Sequence, residues 1–414
     1  MSHTSLTTAD TLLDQVADYA NRANPYPLFA ELRKTPVARQ RDGVYAVSTY
    51  REIVTLLHDP RLSSAATKRP GGPLLGKGAP QPAFINTDPP VHDRLRRMAN
   101  RHFGPPHRPD LIASTEPMLE ELVNALIDAM EPGEIDIVEQ LASPVAVAAI
   151  CQILGVPRED EPRFHAWATD IIGVLATLFE TDEKKRNAAL QKGGQAMLAF
   201  RGYMDDLARD HAKDPGDDLI SGLVTDDGPD GRMTDEEIAA TVQLLLIAGH
   251  EDPGYLVANA MLELLRAPEL LERVRTEPGF VIRVVEEVLR YQPPVQMIPS
   301  RTALEDIEIA GTTIPAGSSV TLAVAAANRD PAQFEDPDRF DPDRPELQHL
   351  SFGGGIHYCF GSPLARLEAQ VALSALARRL RNPKLVEDPP PYQPSPVLRG
   401  PRHLRVTVDG IDPR

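Results

Sequence analysis

The chain has 414 residues, a formal net charge of −17 and a hydrophobic fraction of 42%. The acidic balance excludes a nucleic-acid surface, which needs clustered positive charge. The plentiful Leu, Val, Ala and Ile exclude general disorder.

Only two cysteines occur, Cys151 and Cys359, too few for a secreted disulfide framework and suited to a reducing compartment. The longest apolar runs, 145–151 and 244–248, fall far short of a membrane span. The polar N-terminal stretch MSHTSLTTADTLLDQ has neither the basic nor the apolar region of a leader. A cytoplasmic protein is expected.

In chain order, a strand signal covers 37–47, and a Gly- and Pro-rich loop covers 68–82. Helical periodicity then runs over 114–130, about 136–154, 161–179, 189–213, 234–265 and 280–291. Short strands follow at 307–314 and 319–324, with the turn pair Ala316-Gly317 between them. A last helix covers 364–380, and a strand 403–408. The 40 prolines, roughly twice ordinary usage, sit mostly in the connections. The balance is mainly α with minor β, and residues 1–414 read as a single domain.

The most informative segment is Ser351-Phe-Gly-Gly-Gly-Ile-His-Tyr-Cys-Phe-Gly361. Its glycines let backbone approach a flat ligand where a Cβ would clash. Cys359 lies just before a helix, so its sulfur is expected near the positive helix end, which favours a thiolate. A thiolate is what a haem iron needs in order to cleave an O–O bond. Cys151, in the apolar run VAVAAICQILGV, reads instead as an inert buried thiol.

FGGGIHYCFGSPLAR resembles the haem-binding signature of the cytochrome P-450 family. Further landmarks of that family follow in order over nearly the whole chain. The resemblance implies the single-domain cytochrome P-450 fold, with haem b held between a long crossing helix and the cysteine-loop helix. Cys359 is then the iron ligand, and His92, Arg96, Arg301 and His357 match the family's contacts to the haem propionates. Glu287-Val-Leu-Arg290 resembles the Glu-x-x-Arg motif, whose i, i+3 spacing puts both charges on one helical face. Pro337-Asp-Arg-Phe340 matches the loop that adds a third member, here Arg339.

On the helix that crosses the oxygen-binding face, Ala248, Gly249, His250 and Glu251 match the family pattern, but Asp252 stands where a threonine is usual and Pro253 follows. Glu251 and Asp252 are the candidate proton-handling pair, with Ala248, Gly249 and Pro253 forming the oxygen groove. Pro253 lacks an N–H, so an opening of the helix at Gly249 is expected.

By the same resemblance the substrate pocket is lined by 68–84, the helices around Phe164 and Phe200, Ile247 and Ala248, 295–298, and 396–398. These segments are largely apolar, so a lipophilic small molecule, of the kind met in secondary metabolism, is the expected substrate, with dioxygen as oxidant. No nucleotide fingerprint or flavin segment is present, so electrons are expected from a separate ferredoxin and its reductase. Residues 92–108 hold five arginines and one aspartate; Arg97 and Arg101 are the candidate docking cations for an acidic ferredoxin. The altered oxygen groove leaves two other readings. One is a peroxide-driven or oxidative-coupling enzyme, and the other a non-enzymatic haem sensor. Neither nucleic acid nor membrane is an expected partner.

Overall fold

A computed structural model of the chain describes residues 11–69, 82–104, 107–177, 182–345 and 347–414. Most of the loop read at 68–82, and the last residues of the helix read at 161–179, lie outside these.

The element that organises the rest is the 32-residue helix Asp235–Arg266. Its start is a capping box: the Thr234 side chain accepts from the Glu237 N–H at 3.2 Å, and the Glu237 carboxylate accepts from the Thr234 N–H at 3.0 Å. From Tyr255 to Leu264 every residue is buried, as expected of a helix surrounded by others. It packs against the helices Ser143–Leu154 and Ser362–Arg379. A Cβ on Gly249 would lie 2.7 Å from Ile150, so this glycine sets how closely two of these helices approach.

The helix continues through Pro253 without a break, so the opening expected at Gly249 does not interrupt it. Pro253 is buried, and the packing on either side holds the turn although the Gly249 carbonyl loses its usual N–H partner.

The remainder is helical with small sheets, 56% helix and 11% strand, so the mainly α reading with minor β is correct. The largest sheet has five strands in the order Val37–Arg39, Tyr45–Val47, Ser319–Leu322, Ile298–Ala303, Leu62–Ser63. It places Arg301 beside the centre of the molecule. The 136–154 reading is corrected: Gly133–Asp136 is a strand paired with Arg405–Val408, Val138–Ala142 is a π-helical turn, and only Ser143–Leu154 is α-helix. Asp136 causes the change, because its carboxylate accepts from the N–H groups of Val138 at 3.0 Å and Leu404 at 3.1 Å. It thereby ties strand, turn and sheet together.

Behind the centre, the helix Phe280–Tyr291 carries a wholly buried pair, Glu287 and Arg290, joined by two hydrogen bonds of 2.7 and 2.8 Å. The remaining Arg290 donors reach the carbonyls of Asn328 at 3.0 Å, Pro337 at 2.8 Å and Arg339 at 3.0 Å. The expected third member is therefore corrected. The Arg339 side chain is 63% exposed and pairs with Asp336 and Asp341, because the sharp turn at Asp336 points it outward. The cation beside Glu287 is Arg344, with its Nε 3.7 Å from the carboxylate.

Removing the guanidinium in Arg290→Leu takes from the buried Glu287 its two hydrogen-bonded guanidinium donors and leaves it Arg344 at 3.7 Å and the Asp341 N–H, which costs on the order of 3–5 kcal/mol. Denaturant unfolding should show Arg344→Ala destabilised as well, and Arg339→Ala within about 0.5 kcal/mol of the parent, as for an ordinary surface change. A large loss at Arg339 would restore that residue to the cluster.

Candidate active site

The cysteine loop is fixed at both ends. The Cys359 N–H donates to the Phe352 carbonyl at 2.8 Å, and the helix Ser362–Arg379 begins three residues later. The glycines before it serve a purpose the sequence did not show. Gly353 and Gly355 have φ of +67° and +61°, a region L-residues rarely adopt. A Cβ on Gly355 would also lie 2.2 Å from the Leu57 carbonyl oxygen. These glycines let the loop press against the helix Tyr50–Leu57, and at Gly361 nothing lies within 4 Å.

Above the loop lies a cavity of about 1310 Å³, counting its mouth. The crossing helix supplies one wall through Leu244, Ala248, Gly249, Asp252 and Pro253; Cys359, Phe360 and Gly361 supply the opposite one.

Four of the predicted cofactor contacts meet at one edge. Arg96, Arg301 and His357 line the cavity, and His92 packs against His357 with ring centroids 4.4 Å apart. Neither Arg96 nor Arg301 forms an ion pair with a carboxylate among the described residues. His92 Nε2 and His357 Nδ1 are buried without hydrogen-bond partners. Burial, Arg301 and the other neighbours push His357 down to about 3, and burial with the nearby Arg69 brings Arg301 down to about 10. A cluster of this kind is frustrated until a dianionic edge joins it, and the two propionates of a haem match that requirement. Arg69 is a further cation here that the sequence reading missed. It sits where the Gly- and Pro-rich loop begins, and no motif marks it.

Burial raises the Cys359 thiol to about 11, even with the Gly361 N–H and Arg96 lowering it. The helix-end N–H acts in the expected direction, but desolvation outweighs it. Only a cation at the sulfur itself, such as the haem iron, makes the deprotonated form stable. Cys151 is buried at 1% exposure and raised to about 12, as its inert reading requires. Donor set, cavity and cation cluster thus fit a haem held by Cys359.

The two acids of the crossing helix separate. Asp252 lines the cavity with Oδ1 unpartnered, and burial together with the Glu251 charge pushes it up to about 7. Glu251 points aside and accepts from the Tyr255 hydroxyl at 2.5 Å. Sequence reasoning missed one more acid, Glu368, on the helix that follows the cysteine. It lines the cavity fully buried, both oxygens lack partners, and burial holds it well above the carboxylate range. The signal available was an acid in the otherwise apolar run LEAQVALSAL.

Several lining assignments need correction. Phe84, Ala248, Val295 and Ile298 face the cavity. Phe164 and Phe200 instead stack edge-on with Trp167 in a core cluster, and Ile247, Val397 and Leu398 pack with Tyr255 beside the cavity. Arg97 and Arg101 are not free docking cations. Arg97 binds Asp230 at 2.8 Å, and Arg101 binds Asp226 at 2.6 Å and Asp230 at 2.7 Å, so their charge is matched locally.

A cysteine at the start of a helix, a cavity above it and an edge of cations with no carboxylate of their own fit a haem-thiolate protein. The family model for cytochrome P-450 matches residues 44–408. The chain is 37% identical to the cytochrome P-450 monooxygenase PikC of Streptomyces venezuelae, over 93% of this chain and 91% of that one. It is 35% identical to the 6-deoxyerythronolide B hydroxylase of Saccharopolyspora erythraea, over 93% and 96%. The crystal structure of Mycobacterium smegmatis CYP164A2 in its ligand-free state superposes with a TM-score of 0.86 at 38% identity, covering 96% of this chain and all of that one. The chain belongs to the cytochrome P-450 family. It is a monooxygenase, an oxidoreductase whose relatives act in secondary metabolism, and no helix among the described residues is long and apolar enough to cross a membrane.

Replacing Cys359 by Ser should abolish the red-shifted Soret band of the reduced carbon-monoxide complex, whereas Cys151→Ala should keep it. A normal thiolate spectrum from the Cys359 variant would contradict the ligand assignment.

Proposed function

We propose that this enzyme inserts oxygen from dioxygen into a lipophilic small molecule, using haem b and electrons from a separate ferredoxin and its reductase in the cytoplasm. The observation that carries this reading is the cavity wall opposite Cys359. Leu244, Leu245, Ala248 and Val295 make it apolar, and Asp252 is its acid. Three relatives carry names that point to 6-deoxyerythronolide B, vitamin D3 and nocardicin C as the molecules acted on. A roomy apolar wall suits such scaffolds. Haem b is supported by the cysteines, since Cys151 and Cys359 form no Cys-x-x-Cys-His for a covalent haem.

When bound, the haem supplies an iron whose thiolate ligand favours cleavage of the O–O bond. The chain's own part is to place, shield and deliver protons. His92, Arg96, Arg301 and His357 neutralise the propionates and fix the cofactor's edge. Ala248 leaves room on the crossing helix, since a larger side chain there would fill the groove, and Gly249 lets that helix lie close against Ile150. Pro253 cannot bond the Gly249 carbonyl, so that acceptor is left for a water or for the Asp252 acid proton. Asp252, raised to about 7, is protonated in a good share of molecules near neutrality and donates a proton into the cavity.

One observation favours a second reading. The alcohol usual at the oxygen groove is replaced by a carboxyl that titrates near 7, which suits an enzyme driven by peroxide with Asp252 as base. Purified holoenzyme should be screened with lipophilic compounds, those named above included, for a shift of the haem spectrum. Product should then be measured with reduced ferredoxin and with peroxide alone. Turnover with peroxide and none with ferredoxin selects the second reading.

Asp252→Ala should slow product formation on the order of 10²-fold, the usual worth of a positioned acid, and divert electrons to peroxide with haem binding intact. The sign of the pH dependence follows from the raised acid. Product per electron should be high below pH 7 and fall as Asp252 ionises above it, and in Asp252→Thr that limb should vanish. Full coupling in Asp252→Ala would remove the proton-delivery role, and a selective loss of substrate affinity would make Asp252 a substrate anchor.

A further inference from the structure

The acid Glu251 has an unusual holder. Its carboxylate accepts from the hydroxyl of Tyr255, one turn further along the same helix, at 2.5 Å, and neither residue lines the cavity. No cation pairs with Glu251 among the described residues. The Tyr255 ring is 6% exposed and packs with Ala168, Ile172, Val397 and Leu398, with Val295 beside them. Its seat is cut to shape, because a Cβ on Gly400 would stand 2.5 Å from the ring. A ring so enclosed cannot swing away, so the hydroxyl is a fixed donor on the flank of the helix.

The consequence reaches Asp252, the next residue. Two adjacent carboxyls on one helix project about 100° apart, so a Glu251 clamped to the flank leaves the cavity to Asp252. Burial raises the Glu251 acid, and the hydrogen bond donated by Tyr255 works against that shift by favouring the ionised form; a Glu251 charge beside Asp252 opposes a second ionisation there. The other titratable groups facing the same cavity are Arg96, Arg301, His357, Cys359 and Glu368. Arg96, Arg301 and His357 sit together at the edge fitted to the propionates, Cys359 is placed to hold the iron, and burial holds Glu368 well above the carboxylate range. Glu251 is the neighbour left to bias Asp252.

We propose that Tyr255 is a positioning residue for the oxygenation chemistry: by fixing the Glu251 carboxylate beside Asp252 and out of the cavity, it makes Asp252 the acid that meets the cavity and keeps it a hydrogen-bond donor. This rests on the reading of Asp252 as the proton-delivering group. The hydroxyl acts through Glu251 and touches neither substrate nor cofactor.

Tyr255→Phe keeps the ring in its seat and removes only the hydroxyl. In holoenzyme reduced through ferredoxin with dioxygen alone as probe, it should raise the share of electrons released as peroxide about tenfold, the size of one hydrogen bond to a charged group. Glu251→Gln should have the same effect, and Tyr255→Phe made in the Glu251→Gln background should add nothing, because both act through one carboxylate. A crystal structure of the Tyr255→Phe holoenzyme should show the Glu251 carboxylate moved from its flank position, a change that a packing role for the ring would not produce. An unmoved Glu251, or an undiminished effect of Tyr255→Phe in the Glu251→Gln background, overturns the inference. Asp252→Ala separates it from the reading it rests on. If Asp252→Ala releases peroxide and Tyr255→Phe does not, only the clamp is wrong; if Asp252→Ala leaves the electron balance unchanged, the reading of Asp252 fails first.

Discussion

The rest of the structure depends on one buried guanidinium. Arg290 has no access to water, so every donor it carries must find an acceptor inside the protein. Glu287 takes one side, and the carbonyls of Asn328, Pro337 and Arg339 take the other. Those carbonyls belong to an irregular stretch with no ladder of its own. Asn328 then passes the order on: its side-chain oxygen accepts from the Leu350 N–H at 2.8 Å, and its amide donates to Ser351 Oγ at 2.8 Å. Phe352 follows, and its carbonyl receives the Cys359 N–H. A path of hydrogen bonds and short backbone links therefore runs from a salt bridge behind the site to the Cys359 N–H within it. The pair stabilises the fold little for its own sake, since ion pairs deep in a protein roughly offset their desolvation. Its role is to make one conformation of the cysteine loop much better than any other.

Much of this was legible in the sequence, and what failed did so for physical reasons. Asp235–Arg266 announces itself through Thr234, Glu237 and a long periodic run, and Phe280–Tyr291 is read to the residue. The 136–154 stretch fails because Asp136 spends its carboxylate on the backbone, a choice that periodicity cannot register. Arg339 and Arg344 sit five residues apart in a charged loop, and no local pattern says which one turns inward. Arg97 and Arg101 look like a cationic patch only until Asp226 and Asp230, far along the chain, fold against them. The site itself was largely readable, since Cys359, Arg96, Arg301 and His357 meet as expected. Arg69, Tyr255 and Glu368 were not, because each depends on a neighbour brought in by tertiary packing.

The charges inside the molecule follow a division of labour. Arg96 and Arg301 gather without a carboxylate at one edge of the cavity, where the cofactor's own acids would complete them. The acids around the cavity stand in unequal conditions: Glu251 hydrogen-bonded at its flank, Asp252 open to it, Glu368 buried on the cysteine side without a partner. Equal side-chain chemistry is thus sorted into an acceptor, a donor raised to about 7 and a group held well above the carboxylate range, by desolvation and by one hydroxyl. The replacement of an alcohol by Asp252 fits this arrangement, since a carboxyl can serve there only if its surroundings keep the proton on it.

Glu368 has a consequence of a different kind. A neutral carboxyl with no hydrogen-bond partner has an uncommonly stiff carbonyl bond, whose vibration stands apart from the amide bands of the rest of the protein. The frequency of such a bond falls as soon as a water molecule or a ligand polarises it. Because Glu368 borders the cavity from the helix that follows the cysteine, its vibrational line is a built-in gauge of local polarity. It would register the entry of water or the drying of the pocket by substrate without any added label.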